Sequence, residues 1–211
     1  MDIESRPILD AVELRVLAVL VEKQMTTPDV YPLSRGAVVA GCNQATNRDP
    51  VMSLDETEVE RALVRLHDEN LATPVRRVGD RVTKYRHKLP EALEVDESAT
   101  AALAVLMLRG PQTSGELRSR TERYVSFGSV DEVEAVIDGL ESAGLARRLP
   151  RSPGQSQRRV THLLGSDRTE ESDEHRSVKT SPEASPGLED RLSALEARFQ
   201  ELLERLGVDD L

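Results

Sequence analysis

Hydrophobic positions near the start of the chain repeat with the spacing of amphipathic helices. Residues 10–24 follow an i, i+3, i+4, i+7 pattern, which predicts a first helix. Its apolar positions are Leu14, Leu17, Ala18 and Val21. A shorter helix is predicted from Ser34 to Cys42, and a third begins at Ser53 or Asp55, since both positions fit a capping box. Two short basic strands around a turn at Gly79 complete this unit.

The same helix-plus-hairpin order occurs a second time, near residues 129–165. Ser129-x-x-Glu132 fits the start of the long helix, and Gly144 suits its end. In the helices before it, Leu103 to Met107 matches Leu17 to Val21, and Thr113 is matched to Thr27. This duplication predicts a mostly α fold with small β-hairpins (α+β).

The two copies indicate two tandem winged-helix domains, at residues 1–90 and 91–165. Residues 166–187 are rich in Ser, Glu, Asp and Pro, which predicts a disordered acidic linker. Residues 188–211 then show heptad spacing, which predicts an amphipathic coiled-coil-like helix. The candidate dimerisation residues on this seam are Leu188, Leu192, Leu195, Phe199, Leu202 and Leu206.

Charge is unevenly distributed along the chain. The net charge is −10, but residues 166–211 carry 13 acidic against 6 basic side chains, so they account for most of it. Half of the basic residues before that segment lie in the two predicted hairpins, where they suit contacts with nucleic-acid phosphates. The candidate nucleic-acid-binding residues are Arg76, Arg77, Arg81, Lys84, Arg86, Arg147, Arg148, Arg151, Arg158 and Arg159.

The third helix of each unit carries the opposite charge. A helix-turn-helix reads the major groove with the N-terminal residues of this helix. Here that region holds Asp55 to Glu60 in the first unit and Asp131 to Glu134 in the second. Carboxylates facing phosphates oppose binding, so specific major-groove recognition is disfavoured. Double-stranded DNA bound through the hairpins therefore stays open. The alternative is a protein-interaction scaffold that uses the winged-helix surfaces and the coiled coil.

Catalytic and metal-binding patterns are not evident in the sequence. The four histidines are scattered, the single cysteine is Cys42, and no phosphate-binding loop or HExxH motif occurs. We therefore expect a protein that is not an enzyme and needs no cofactor or metal. No apolar run is long enough for a membrane span, and we expect a cytoplasmic location.

Several longer motifs support a family resemblance. They are Glu13-Leu14-Arg15-Val16-Leu17, Thr26 to Ser34 (TTPDVYPLS), Cys42-Asn43-Gln44, Asn47-Arg48-Asp49-Pro50-Val51, Gly115-Glu116-Leu117-Arg118 and Leu149-Pro150-Arg151. On these motifs residues 8–165 resemble the YceH-like family, an uncharacterised bacterial group. The resemblance implies two consecutive winged-helix domains, often with a C-terminal coiled coil, and no established activity. Gly36 and Gly41 depart from the pattern, where Asn and Ala are expected.

The segment between the second and third helices is unusually polar. Its candidate partner- or ligand-binding residues are Asn43, Gln44, Asn47, Arg48 and Asp49. One interpretation is that these side chains cap the adjoining helices and satisfy backbone groups of the loop. The other is that they form a loop that contacts a ligand or partner beside the first hairpin.

The heptad seam generates a test of oligomeric state. Arg191 at a g position faces Glu196 at an e position of a parallel partner, which favours a parallel homodimer. The alternative is a helix folded back onto its own domain. We expect light scattering to give a dimer mass for the full chain and a monomer mass after removal of residues 188–211. The same monomer mass for both proteins would contradict the dimer.

Overall fold

The computed structural model describes residues 8–76, 81–151 and 157–165. Within them the chain forms seven α-helices and five short strands, which confirms the mostly α class with small β-hairpins. The helices are α1 (Ala11–Thr26), α2 (Arg35–Cys42), α3 (Glu56–Asp68), α4 (Leu89–Leu93), α5 (Glu97–Arg109), α6 (Ser114–Thr121) and α7 (Val130–Ser142). The strands are β1 (Leu33–Ser34), β2 (Ala72–Val75), β3 (Lys84–His87), β4 (Ala146–Arg148) and β5 (Val160–His162).

Polar side chains define where the helices begin. Asp55 caps α3, and Glu58 completes its capping box by accepting from the Asp55 amide. Thr113 caps α6 in the same way, and Ser129 caps α7. Thr113 therefore corresponds to Ser34, the cap of α2, and its match to Thr27 was wrong. The first half carries extra residues between its first two helices, a 3-10 turn (Pro28–Val30) followed by β1.

Both hairpins are antiparallel and have equivalent registers. Pro74 lies opposite Tyr85 in the first, and Arg148 lies opposite Val160 in the second. β1 adds a third strand to the first sheet by pairing Leu33 with Tyr85. In the second half a single bridge between Gln112 and Val160 takes this place. Both halves thus follow the order helix, strand or bridge, helix, helix, hairpin.

Two histidines close the hairpins in the same way. His87 Nδ1 accepts from the amide of Leu89 at 3.3 Å, and His162 Nδ1 accepts from the amide of Leu164 at 3.3 Å. Burial lowers the pKa of both imidazoles to about 4. The rings are therefore neutral near pH 7, which leaves the Nδ1 lone pair available as an acceptor.

One hydrophobic core runs through both halves, because α1 packs against α5. Every residue from Val16 to Val21 is fully buried, and Thr100 to Leu108 are buried along α5. Helices apolar on all sides require neighbours all round, and α2 and α3 also cover α1. The boundary between domains 1–90 and 91–165 remains a prediction.

Several predicted features lie outside the described residues. They are Arg77, the acidic linker 166–187, and the helix 188–211 with its six candidate dimerisation residues. Within the part of the chain that is described, no helix has the length and apolar character needed to cross a membrane.

The close approach of α2 to α1 predicts opposite effects at two glycines of α2. A Cβ on Gly41 would lie 2.6 Å from Cγ1 of Val19, whereas a Cβ on Gly36 would meet no atom within 4 Å. Gly41→Ala should lower the free energy of unfolding by about 1–3 kcal/mol through overpacking. The matched control Gly36→Ala should raise it by up to about 1 kcal/mol through helix propensity. Urea unfolding midpoints measure both changes, and shifts of the same sign would contradict this packing.

Candidate functional site

The first hairpin exposes most of its candidate residues to solvent. Arg76 follows β2 and Arg81 precedes β3, and both are exposed. Neither forms an ion pair with another residue that the structure describes. Arg86 is exposed on β3 and lies 3.5 Å from Glu91, while Lys84 is half-buried in the sheet. The hairpin therefore presents at least two guanidinium groups without a carboxylate partner among these residues.

The second hairpin divides its arginines into two groups. Arg151 and Arg158 are exposed, and no ion pair joins either of them to the described part of the chain. Arg159 is half-buried, and Arg147 is half-buried with a partner of its own. Arg148 instead points at α7, so the five arginines do not form one uniform surface.

Arg148 is held by three carboxylates of α7. Its Nη2 lies 2.6 Å from Glu134 and 2.7 Å from Asp138, and its Nη1 donates to Glu141. Hydrogen bonds to Glu134 and the other carboxylates raise the pKa of Arg148 above its usual value. Ser114 and Arg148 lower the pKa of Glu134 by donating to its carboxylate. A phosphate approaching Arg148 would meet these carboxylates, so its predicted role as a phosphate contact is disfavoured.

An open groove lies between α6, α7 and the second hairpin. Its volume is about 380 Å³. Its walls include Ser114, Glu134, Arg148, Arg151, Arg158 and Val160. The groove therefore brings together the exposed arginines of the hairpin and the N-terminal part of the third helix.

Some of the negative charge on α3, the third helix of the first half, is also paired with a basic residue of the protein. Arg35 at the start of α2 lies 3.1 Å from Glu56 and 2.9 Å from Glu60. Arg35 thus forms ion pairs with carboxylates of α3, as Arg148 does with carboxylates of α7, although Arg35 lies on a helix and Arg148 on a strand. Both third helices present carboxylates that already have basic partners.

The polar segment between α2 and α3 is built into the protein. Asn43 Nδ2 donates to the carbonyl of Leu54 at 2.8 Å, and Asn43 Oδ1 accepts from the Leu54 amide at 2.8 Å. The Asp49 amide donates to the carbonyl of Leu108 at 2.8 Å, and Asn47 Oδ1 accepts from Arg109. These bonds favour the interpretation that the segment satisfies backbone groups and joins the two halves.

Arg48 forms a buried ion pair with Glu22, which the sequence interpretation did not identify. Its Nη2 lies 2.5 Å from the Glu22 carboxylate, and both side chains are almost fully buried. The guanidinium also donates to the Gly41 carbonyl and to Gln44, and the hydroxyl of Tyr124 donates to Glu22 at 3.2 Å. Burial raises the pKa of Glu22, but the hydrogen bond and charge of Arg48 outweigh it and hold that pKa below its usual value.

A second buried arginine, Arg15, was also missed as a functional group. Its guanidinium donates to the carbonyls of Cys42 at 3.1 Å and Pro50 at 2.6 Å. The signal was present in the sequence, since Arg15 and Glu22 interrupt an otherwise apolar helix face. Burial raises the pKa of the nearby Cys42 thiol to about 12, so this thiol is unreactive near pH 7. No group of three metal-ligating side chains occurs among the residues described.

The buried ion pair predicts a large stability effect at Arg48. Arg48→Met leaves the Glu22 carboxylate buried without its partner and should lower the free energy of unfolding by about 3–5 kcal/mol. The matched control is Arg65→Met, because Arg65 pairs with Glu69 at 2.8 Å while half-exposed, and it should cost at most about 1 kcal/mol. Adding Glu22→Gln to Arg48→Met should restore part of the loss. Equal effects of the two arginine variants in urea unfolding would contradict the assignment.

Comparisons with known proteins identify relatives of nearly full length. A UPF0502 protein from Dechloromonas aromatica (strain RCB) is 45% identical over 203 residues, which cover 94% of each chain. One from Acidovorax sp. (strain JS42) is 40% identical over 225 residues, covering 98% of this chain and 97% of the relative. One from Opitutus terrae is 48% identical over 165 residues, covering 77% of this chain and 72% of the relative.

A family model described as "Protein of unknown function, DUF480" matches residues 9–155. The match contains both hairpin-bearing halves up to the second turn, and therefore most of the groove described above. Because it extends over more than half of the chain, and two of the relatives are matched over more than nine-tenths of their length, the chain belongs to the bacterial DUF480 family, together with the UPF0502 proteins.

Proposed function

We propose that each half is a winged-helix unit and that the chain is a non-enzymatic, nucleic-acid-associated protein with a regulatory role. The winged-helix interpretation is supported by the shared order of elements and by the equivalent pairings of Leu33 with Tyr85 and Gln112 with Val160. The resemblance to the YceH-like family points the same way. In this proposal the two hairpins are the wings.

The observation that carries the proposal is the exposure of wing arginines without carboxylate partners in the described chain. Arg76 and Arg81 lie on the first wing, and Arg151 and Arg158 lie on the second. Exposed guanidinium groups bind phosphates and release condensed counterions, which supplies most of the affinity of non-specific DNA binding. The proposed partner is therefore double-stranded DNA contacted along its phosphates.

The charges of the third helices favour a protein that is positioned on DNA by phosphate contacts and recognises bases only weakly. Arg35 already pairs with Glu56 and Glu60 of α3. Arg148 already pairs with Glu134, Asp138 and Glu141 of α7. Phosphate contacts fix the register of a protein on DNA but carry no sequence information. We therefore propose binding that depends weakly on sequence.

A second candidate is a protein-interaction scaffold. The specific observation in its favour is Val64, which is 57% exposed on α3 between Arg61 and Arg65, both also exposed. Amphipathic exposed helix faces are common docking surfaces for proteins. Affinity capture supports this candidate if a stoichiometric protein partner survives nuclease treatment.

The DNA proposal predicts a measurable salt dependence. With about five phosphates contacted, the logarithm of the binding constant should fall with log salt at a slope near −4.5. Arg76→Gln with Arg81→Gln should make the slope less steep by about 1.8, since two contacts are removed. The measurement is titration of a labelled duplex at several salt concentrations.

The control for this experiment is Arg123→Gln. Arg123 is also exposed but lies on the turn after α6, outside both hairpins, so the slope should not change. No binding of the unmodified protein at low salt would refute the DNA proposal. A slope that responds equally to all three substitutions would show binding governed by net charge alone.

A further inference from the structure

Arg148 joins the second hairpin to the third helix of its half. Besides its three side-chain ion pairs, its backbone amide donates to Glu141 at 2.6 Å. The backbone amide and the guanidinium of this β4 residue are thus both bonded to α7. We call the contacts of Arg148 with Glu134, Asp138 and Glu141 the latch.

The latch is specific to the second half. By strand register, the residue that corresponds to Arg148 is Pro74, which has neither a guanidinium nor an amide hydrogen. The two helices are matched by equivalent bonds, from Leu71 to Leu66 and from Leu145 to Leu140. On this match Val64 takes the place of Asp138. At the position of Glu141 the first half has His67, whose Nδ1 lies 3.3 Å from the Ala72 carbonyl of β2. The first hairpin is therefore bonded to its third helix there through a neutral backbone group, and Pro74 cannot add the ion pairs that Arg148 forms.

The latch lies in the wall of the groove that also contains Arg151 and Arg158. Arg151 is three residues beyond Arg148, and Arg158 approaches the groove from the return side of the same hairpin. Fixing β4 on α7 therefore restricts where both exposed guanidinium groups can lie. Ordering a long side chain or loop on binding costs affinity, and a site ordered in advance avoids part of that cost.

We propose that this groove seats a phosphate group of a nucleic acid, that Arg151 and Arg158 contact it, and that Arg148 is a positioning residue that holds the hairpin for them. The inference rests on the proposed function. Phosphate is the matching chemistry because two exposed arginines line the groove, while the carboxylate of Glu134 is already engaged by Arg148 and Ser114. Arg148 itself is unsuited to contact because a phosphate would have to displace α7 carboxylates.

The experiment compares a contact variant with a positioning variant. Arg151→Gln with Arg158→Gln removes the two proposed contacts. Arg148→Gln with Asp138→Asn removes the side-chain ion pairs of the latch. It removes one positive and one negative charge, so the net charge of the cluster is unchanged. Asp138→Asn alone is the control, because Glu134 and Glu141 still hold Arg148. The probe is a labelled 20-base-pair duplex titrated at several salt concentrations.

The slope of log affinity against log salt separates the two roles, because it counts phosphate contacts. The contact variant should make the slope less steep by about 1.8. The latch variant should leave the slope unchanged and lower the affinity by roughly 3- to 10-fold, the cost of ordering the hairpin on binding. The Asp138→Asn control should bind at least as tightly as the unmodified protein.

A second measurement tests the latch without DNA. Amide hydrogen exchange at Leu149 and Val160, which both donate across strand pairings, should accelerate in the latch variant and not in the control. Circular dichroism on the same samples checks that α-helical structure is retained. Unchanged exchange at both amides would overturn the positioning role.

The remaining outcomes are equally decisive. A slope reduced by about 0.9 in the latch variant would show that Arg148 is itself a phosphate contact. An unchanged slope in the contact variant would show that the groove is not the phosphate site, even if DNA binds elsewhere on the protein. No binding by the unmodified protein would refute the proposed function and, with it, the phosphate role of the groove. The exchange measurement would still test whether Arg148 holds the hairpin on α7.

Discussion

Helix α1 is apolar on almost every side, and this constraint organises the part of the protein that the structure describes. Its six residues from Val16 to Val21 are fully buried. No single layer of neighbours covers a helix of this kind, so α2 and α3 pack on it from its own half and α5 packs on it from the other. The two hairpin-bearing halves therefore share one hydrophobic core.

The two most deeply buried charged residues of α1 then require partners inside the protein. Glu22 and Arg15 lie within the buried helix, where an isolated charge is very unfavourable. The polar segment after α2 supplies Arg48 for Glu22 and backbone carbonyls for Arg15, and Tyr124 adds a hydrogen bond from the second half. These contacts account for part of the segment's polarity and agree with the interpretation that it satisfies buried and backbone groups.

The arginines of the hairpins differ in their contacts and exposure despite similar sequence contexts. Arg148 meets three carboxylates of α7 and becomes part of the framework. Arg151 and Arg158 remain in solvent, where they are available to an anionic partner. Because Pro74 occupies the position of Arg148 in the first half, the two halves share a backbone pattern but differ in the ion pairs between hairpin and third helix. Equivalent backbones can therefore carry unequal binding surfaces.

The sequence alone left two candidate caps for the third helix, Ser53 and Asp55, of which Asp55 caps α3. The sequence by itself determined the other local elements: helical periodicity, the cap at Ser129 and basic residues in both hairpins are short-range patterns that need no partner to be recognised. It also determined the repeat, although the match of Thr113 to Thr27 was wrong because inserted residues of the first half shift the register. Only the tertiary structure decided that Arg48 pairs with Glu22, 26 residues away, and that Arg148 lies among carboxylates. Side-chain ion pairs depend on distances between elements, and those distances are set by how the helices pack, which periodicity and composition do not encode.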